Sequence, residues 1–160
     1  MITDVEEETL DITWFSVDAN GEIACFASGG RGFLPASVKA CKDNMIRLVD
    51  FFEDALPENG YGIASLNLDS RMQQRRYLAD TVEEGRASYL AAYLPMATKG
   101  LYAFDCIYLN RRPSGYFLVA RPSRPLCVGE LPPDIQGIVK LTRFPGRFST
   151  LDTVQEADFG

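Results

Sequence analysis

Residues 11 to 30, D-I-T-W-F-S-V-D-A-N-G-E-I-A-C-F-A-S-G-G, constrain the fold more than any other stretch of the chain. Two arms rich in aromatic and β-branched residues flank Asp18-Ala19-Asn20-Gly21, where Gly21 can take positive φ in a three-residue loop with a bulge. Asp18 then sits opposite Glu22. Counting back sets Val17 against Ile23, Phe15 against Cys25 and Trp14 against Phe26. One face carries Thr13, Phe15, Val17, Ile23, Cys25 and Ala27, and the other Ile12, Trp14, Ala24 and Phe26. A hairpin apolar on both faces needs cover on both.

Downstream the period changes. Val38, Cys41, Met45, Leu48, Val49, Phe52 and Leu56 recur at helical spacing, with Pro35 placed to open the helix and Pro57 to end it. Ser70-x-x-Gln73 and Thr81-x-x-Glu84 have the form of capping boxes. With the stripe Leu78, Val82, Tyr89, Leu90, Tyr93 and Leu94, they predict helix over about 71–94, broken near Asp80 and stopped by Pro95. Residues 101–109 read as a central strand, 116–121 as its partner and 138–142 as an edge strand. This order predicts a single α+β domain over residues 1–160: a mostly antiparallel sheet of five to seven strands built from hairpins, with two or three helices packed on it. Phe15, Val17, Ile23, Val49, Phe52, Leu90, Ile107, Leu118 and Val119 are expected in one core. The acidic ends, 1–9 and 152–160, are expected to fray.

The chain has no histidine, which removes Ser-His and Cys-His nucleophilic systems and His-based metal sites. Cys25, Cys41, Cys106 and Cys127 form no C-x-x-C pair and read as reduced packing residues of a cytoplasmic protein, so neither a disulfide, a metal nor a cofactor is implied. There is no basic leader and no apolar run of membrane-spanning length, so no membrane is expected. The net charge of −6 hides a split: residues 1–58 carry −8, 59–149 carry +5, and the rest −3. An acidic chain is a poor nucleic-acid binder, although Arg71, Arg75, Arg76, Arg111, Arg112, Arg121, Arg124, Arg143 and Arg147 can form a patch if they converge.

Three places invite a function. Gly29, Gly30, Arg31 and Gly32, ahead of a helix, can form a nest of N–H groups for an anion. Asp105 interrupts an apolar strand beside Cys106, as a carboxylate-dependent enzyme or small-molecule site requires; a structural role, bonded to backbone or arginine, is the simpler expectation. The third is a protein-binding surface made from Trp14, Phe26, Arg31 and Phe33 with Asp43, Asp50 and Asp54 of the first long helix, facing a protein partner or a second copy.

The phrase W-F-S-V-D-A-N-G-E-I-A-C-F-A-S-G-G-R-G-F-L-P, with K-G-L-Y-A-F-D and V-A-R-P-S-R-P-L later, resembles a set of small uncharacterised bacterial proteins, some of them similar to immunity proteins that neutralise polymorphic toxins. These phrases cover about a quarter of the chain and form hairpin and strand, not catalytic motifs. The resemblance implies a bacterial cytoplasmic protein that acts by binding another protein. It transfers no functional residue.

Overall fold

The hairpin forms in the register its sequence dictates. β1 (Thr13–Val17) and β2 (Ile23–Ala27) pair antiparallel with Trp14 opposite Phe26, Phe15 opposite Cys25 and Val17 opposite Ile23. Gly21 takes φ 80°, and the Asp18 N–H donates to the Glu22 carbonyl at 2.9 Å. The computed structural model describes residues 1–74 and 82–159. Arg75, Arg76, Leu78, Asp80 and the box Thr81-x-x-Glu84 fall wholly or in part outside the described residues.

A long excursion separates β2 from its next neighbour, β4 (Tyr102–Cys106), and the two run parallel, as a crossover through helices requires. β5 (Tyr116–Pro122) returns antiparallel to β4. Its outer edge is shared by β3 (Gly62–Ala64) and β6 (Thr153–Val154), completing a six-stranded, mostly antiparallel sheet ordered β1-β2-β4-β5-β3 with β6 against β5. Ala103 pairs with Ala120 but Phe104 with Leu118, so Val119 is the extra residue of a β-bulge.

The six α-helices among the described residues are α1 (Asp4–Thr9), α2 (Ala36–Lys39), α3 (Lys42–Asp50), α4 (Leu68–Gln74), α5 (Val82–Thr98) and α6 (Pro133–Val139). The first predicted long helix is in fact two. Cys41 is extended (φ −143°, ψ 102°), which breaks α2 from α3, and α3 runs into a π-helical turn, Phe51–Ala55. Leu56 is then extended ahead of Pro57, as a residue before proline prefers. Lys99 donates to the Phe52 carbonyl at 2.8 Å and also to that of Glu53, satisfying acceptors that the turn leaves open.

Several expectations are corrected. Pro95 lies inside α5, on its exposed side, where water can solvate the carbonyl that the missing N–H leaves free. Ser70 is inside α4, which starts at Leu68, so it caps nothing. Residues 138–142 are no edge strand: Pro133 opens α6, Ile135 and Val139 bury one helical face, and only a single parallel bridge, Val17 to Arg143, touches the sheet. Elements form near both ends. Thr3 caps α1 in a capping box with Glu6, and the last residues place β6 in the sheet and Phe159 5.6 Å from Trp14.

The core is three clusters, not one. Phe15, Ile23, Phe52, Leu101 and Val139 pack on one face, with Phe15 stacked 4.5 Å from Phe52. Trp14, Phe26, Phe104, Tyr116, Leu118 and Phe148 pack on the other. Leu90, Phe117 and Val119 form the third, under α4 and α5. Val49 and Ile107 are only partly buried, at the rims of these clusters. Each large side chain so enclosed contributes roughly 1.5–3 kcal/mol.

Candidate functional site

The hairpin face that carries Trp14 is covered from within. Trp14, 1% exposed, stacks on Phe26 at 4.1 Å and meets Phe33, Tyr116 and Phe159 edge-on or tilted. Its indole N–H donates to the Tyr116 hydroxyl at 3.0 Å, which donates to the Phe33 carbonyl at 2.8 Å. Burial pushes the Tyr116 phenol well above its ordinary pKa. Trp14, Phe26 and Phe33 are therefore core and offer no surface to a partner. The cover comes from the amino-terminal Ile2, from Phe33 to Val38, and from Phe144, Phe148 and Phe159 near the carboxyl end.

The glycine loop is not an anion nest. Gly29 (φ 54°) and Gly30 (φ 67°) do turn their N–H groups inward, but Gly29 donates to the Asp11 carboxylate at 2.8 Å and Gly30 to the Ser28 hydroxyl at 3.4 Å. The N–H groups of Arg31 and Gly32 both reach the Ser28 carbonyl. A side chain at Gly32 would overlap the Tyr116 hydroxyl at 2.2 Å, and one at Gly30 would meet the Glu8 carbonyl at 2.7 Å. These glycines answer packing. Arg31 is spent on the Leu109 carbonyl at 3.1 Å.

Asp105 is buried and structural. It accepts from the Cys106 N–H at 2.8 Å and from the Tyr89 hydroxyl on α5. Beside it in the strand row, Ala27 and Thr13 floor a narrow cleft walled by Glu53, Tyr93 and Met96, and Asp105 is not part of its lining. Cys25 at the floor is pushed up to about 12 by burial, which makes it a poor nucleophile. All four cysteines are free; Cys25 and Cys106 are core, whereas Cys127 is exposed and not a packing residue.

Several of the arginines have local partners. Arg71 pairs with Asp152, Arg86 with Asp69, and Arg112 with Glu7 and Glu8 of α1; Arg111 lies over the Tyr108 ring at 3.5 Å, Arg124 reaches Asn59, and Arg143 donates to the Lys140 carbonyl. Arg75 and Arg76 lie outside the described residues.

The acidic side of α3 stands apart. Asp43, Ile46 and Asp50 fall three and four residues apart on one exposed helical face, and Asp54 follows one turn on, in the π-helical turn with Glu53. The cations of this segment are drawn elsewhere: Lys42 pairs with Glu6 of α1, and Arg47 with Asp134 of α6. Among the described residues no cation pairs with Asp43, Asp50, Glu53 or Asp54. The result is a face rich in exposed carboxylates that form no direct ion pair, with an exposed isoleucine in it. Ile46 falls outside the apolar stripe of 41, 45, 48 and 52, so helical spacing does not single it out.

Among the described residues there is no group of three Cys, Asp or Glu side chains placed to hold a metal, and no helix is long and apolar enough to cross a membrane. No protein-family model, curated protein or solved structure matches the chain.

Proposed function

We propose that the chain is a non-enzymatic, cytoplasmic protein-binding domain of immunity type, which binds and neutralises a partner protein through the exposed face of α3. The observation behind this is the set of four exposed carboxylates, Asp43, Asp50, Glu53 and Asp54, none of which forms an ion pair among the described residues. Asp50 and Asp54, four residues apart, repel each other. They gain a use against a cationic partner, where complementary potentials speed encounter and fix orientation. Ile46 supplies an apolar contact within that charge, the composition of a small interface with a polar rim. The expectation drawn from the resemblance of the hairpin phrases to small bacterial proteins, some of them similar to immunity proteins, is of the same kind.

The partner is expected to be basic, and its gene to lie beside this one. Titration calorimetry of the adjacent gene's product against this chain, at low and at high salt, tests the proposal. The expected result is binding that weakens steeply as salt rises, with loss of the partner's activity on complex formation. Absence of binding, or binding indifferent to salt, overturns it.

A further inference from the structure

We propose that the groove between residues 33–37, the end of α6 and the last turn, Glu156–Phe159, binds an aliphatic carboxylate whose head rests on Lys140 and Arg143. The groove has a volume of about 800 Å³, within the roughly 300–1,000 Å³ of small-molecule sites. Phe33, Leu34, Pro35, Leu141 and Phe159 give it apolar walls, and Leu141 is 59% exposed.

Its two cations are held in place by the backbone around them. The Val17 N–H and the Ser16 hydroxyl donate to the Thr142 carbonyl, each at 3.1 Å, and the Phe144 N–H donates to the Val17 carbonyl at 2.9 Å. Thr142 and Phe144 are buried against β1, so Arg143 between them turns outward and lines the groove. Its Nε donates to the Lys140 carbonyl at 3.2 Å, which fixes the guanidinium beside Lys140 and leaves its outer nitrogens to a ligand. The Lys140 Nζ donates to the neutral Gln136 Oε1 at 3.1 Å. Among the described residues neither cation forms an ion pair, although the chain carries a net −6. Glu156 also lines the groove and pairs with neither of them. Two cations against one acid favour an anion, and a carboxylate accepts from both. Glu156 repels that carboxylate and so sets which way round the ligand lies.

The tail is aliphatic because of what adjoins the groove. At Ser37, Leu141 and Thr142 it borders a slot between α3 and α6, walled by Val38, Met45, Leu48 and Ile138. The slot holds about 20 Å³, little more than one water-sized sphere. That admits the end of an unbranched alkyl chain laid over Leu141 and excludes a ring. Met45 adapts its shape to the tail. Asp43, Ile46, Asp50 and Asp54 line neither the groove nor the slot, so this site and the partner-binding face act independently.

Titration calorimetry of the full chain with decanoate, decyltrimethylammonium and 2-naphthoate tests the proposal. On a chain of net charge −6 an unspecific apolar surface favours the cationic amphiphile. The expected result is instead one decanoate bound per chain, with the other two weaker by at least about tenfold. Lys140→Gln/Arg143→Gln is expected to weaken decanoate at least about tenfold while the ligand-free variant unfolds at the wild-type temperature. Leu141→Glu, at an exposed side chain shared by groove and slot, provides the same comparison should the double variant unfold. No saturable decanoate binding, equal binding of decyltrimethylammonium or 2-naphthoate, or a folded variant that binds decanoate as the wild type does overturns the proposal. Charge reversal on α3 leaves decanoate binding intact, so failure here and failure of the α3 interface are separately visible.

Discussion

The carboxylate of Asp18 accepts the backbone N–H of Phe148 at 2.9 Å, joining the hairpin turn to a segment 130 residues later. Its other oxygen accepts from the N–H groups of Asn20, at 2.8 Å, and Glu22, at 2.9 Å. One buried side chain thus shapes the loop and fastens the carboxyl-terminal cover over Trp14.

Asp18→Ala leaves three N–H groups without this acceptor and is expected to destabilise by about 3 kcal/mol. Asp18→Asn keeps the oxygen for Asn20 and Glu22 but sets an amide donor against the Phe148 N–H, so a smaller loss is expected. Equilibrium urea denaturation of the three proteins ranks them.

The hairpin was legible because alternation and turn chemistry are local, and register follows from counting outward from Gly21. The central strand was legible for the same reason, since 102–106 and 116–122 are apolar on both faces apart from Asp105 and Arg121. What covers the Trp14 face was not. It depends on residues with no periodicity of their own: Phe144, Phe148 and Phe159 are scattered through turns, and the acidic ends look solvated until Glu7 finds Lys39 and Arg112. The residues at 138–142 misled because Ile135 and Val139, one helical turn apart, were read without the helix start at Pro133. In the candidate site Asp43, Asp50 and Asp54 could be placed from spacing alone, whereas the diversion of Lys42 and Arg47 to Glu6 and Asp134 is tertiary.

Trp14 is a core residue with a polar handle, and its variants should divide accordingly. Trp14→Ala is expected to cost about 3–5 kcal/mol through the cavity left beside Phe26. Trp14→Phe keeps an aromatic ring and loses the indole N–H, while the Tyr116 hydroxyl retains the Phe33 carbonyl, so about 1–2 kcal/mol is expected. Thermal unfolding followed by circular dichroism reports both.

Thiol labelling of the native protein should be graded. Cys127 is exposed and reacts first, slowed because partial burial and then the nearby Glu130 raise its thiol. Cys41, half-buried, follows. Cys25 and Cys106 should label only on unfolding, the former also because its thiol is pushed up to about 12. Four rapidly reacting thiols in native buffer would contradict this packing.

The docking of α1 depends on pH at both ends. The hydrogen bond from Lys42, followed by those from Thr3, holds Glu6 at about 2, below its ordinary 4.5. A folded-state value below the unfolded one means that this contribution is complete above 4.5 and is lost as pH falls toward 2. Lys39 is raised above 10.5, first by its hydrogen bond to Glu7, so its contribution is complete below 10.5 and is lost as pH rises beyond the raised value. The protection factors of the amides over residues 4–9, taken relative to the intrinsic exchange rate at each pH, should fall in acid, and Glu6→Gln should flatten that acid limb.

The central claim, that the exposed carboxylates of α3 and the π-helical turn after it form the partner-binding face, meets its most direct test in Asp43→Lys/Asp50→Lys/Asp54→Lys. All three side chains are exposed and unpaired among the described residues, so the variant should unfold at close to the wild-type temperature. Its affinity for the adjacent gene's product, measured by titration calorimetry, is expected to fall by at least about tenfold, with the salt dependence abolished or reversed. A variant that stays folded and binds with wild-type affinity and salt dependence would contradict the account.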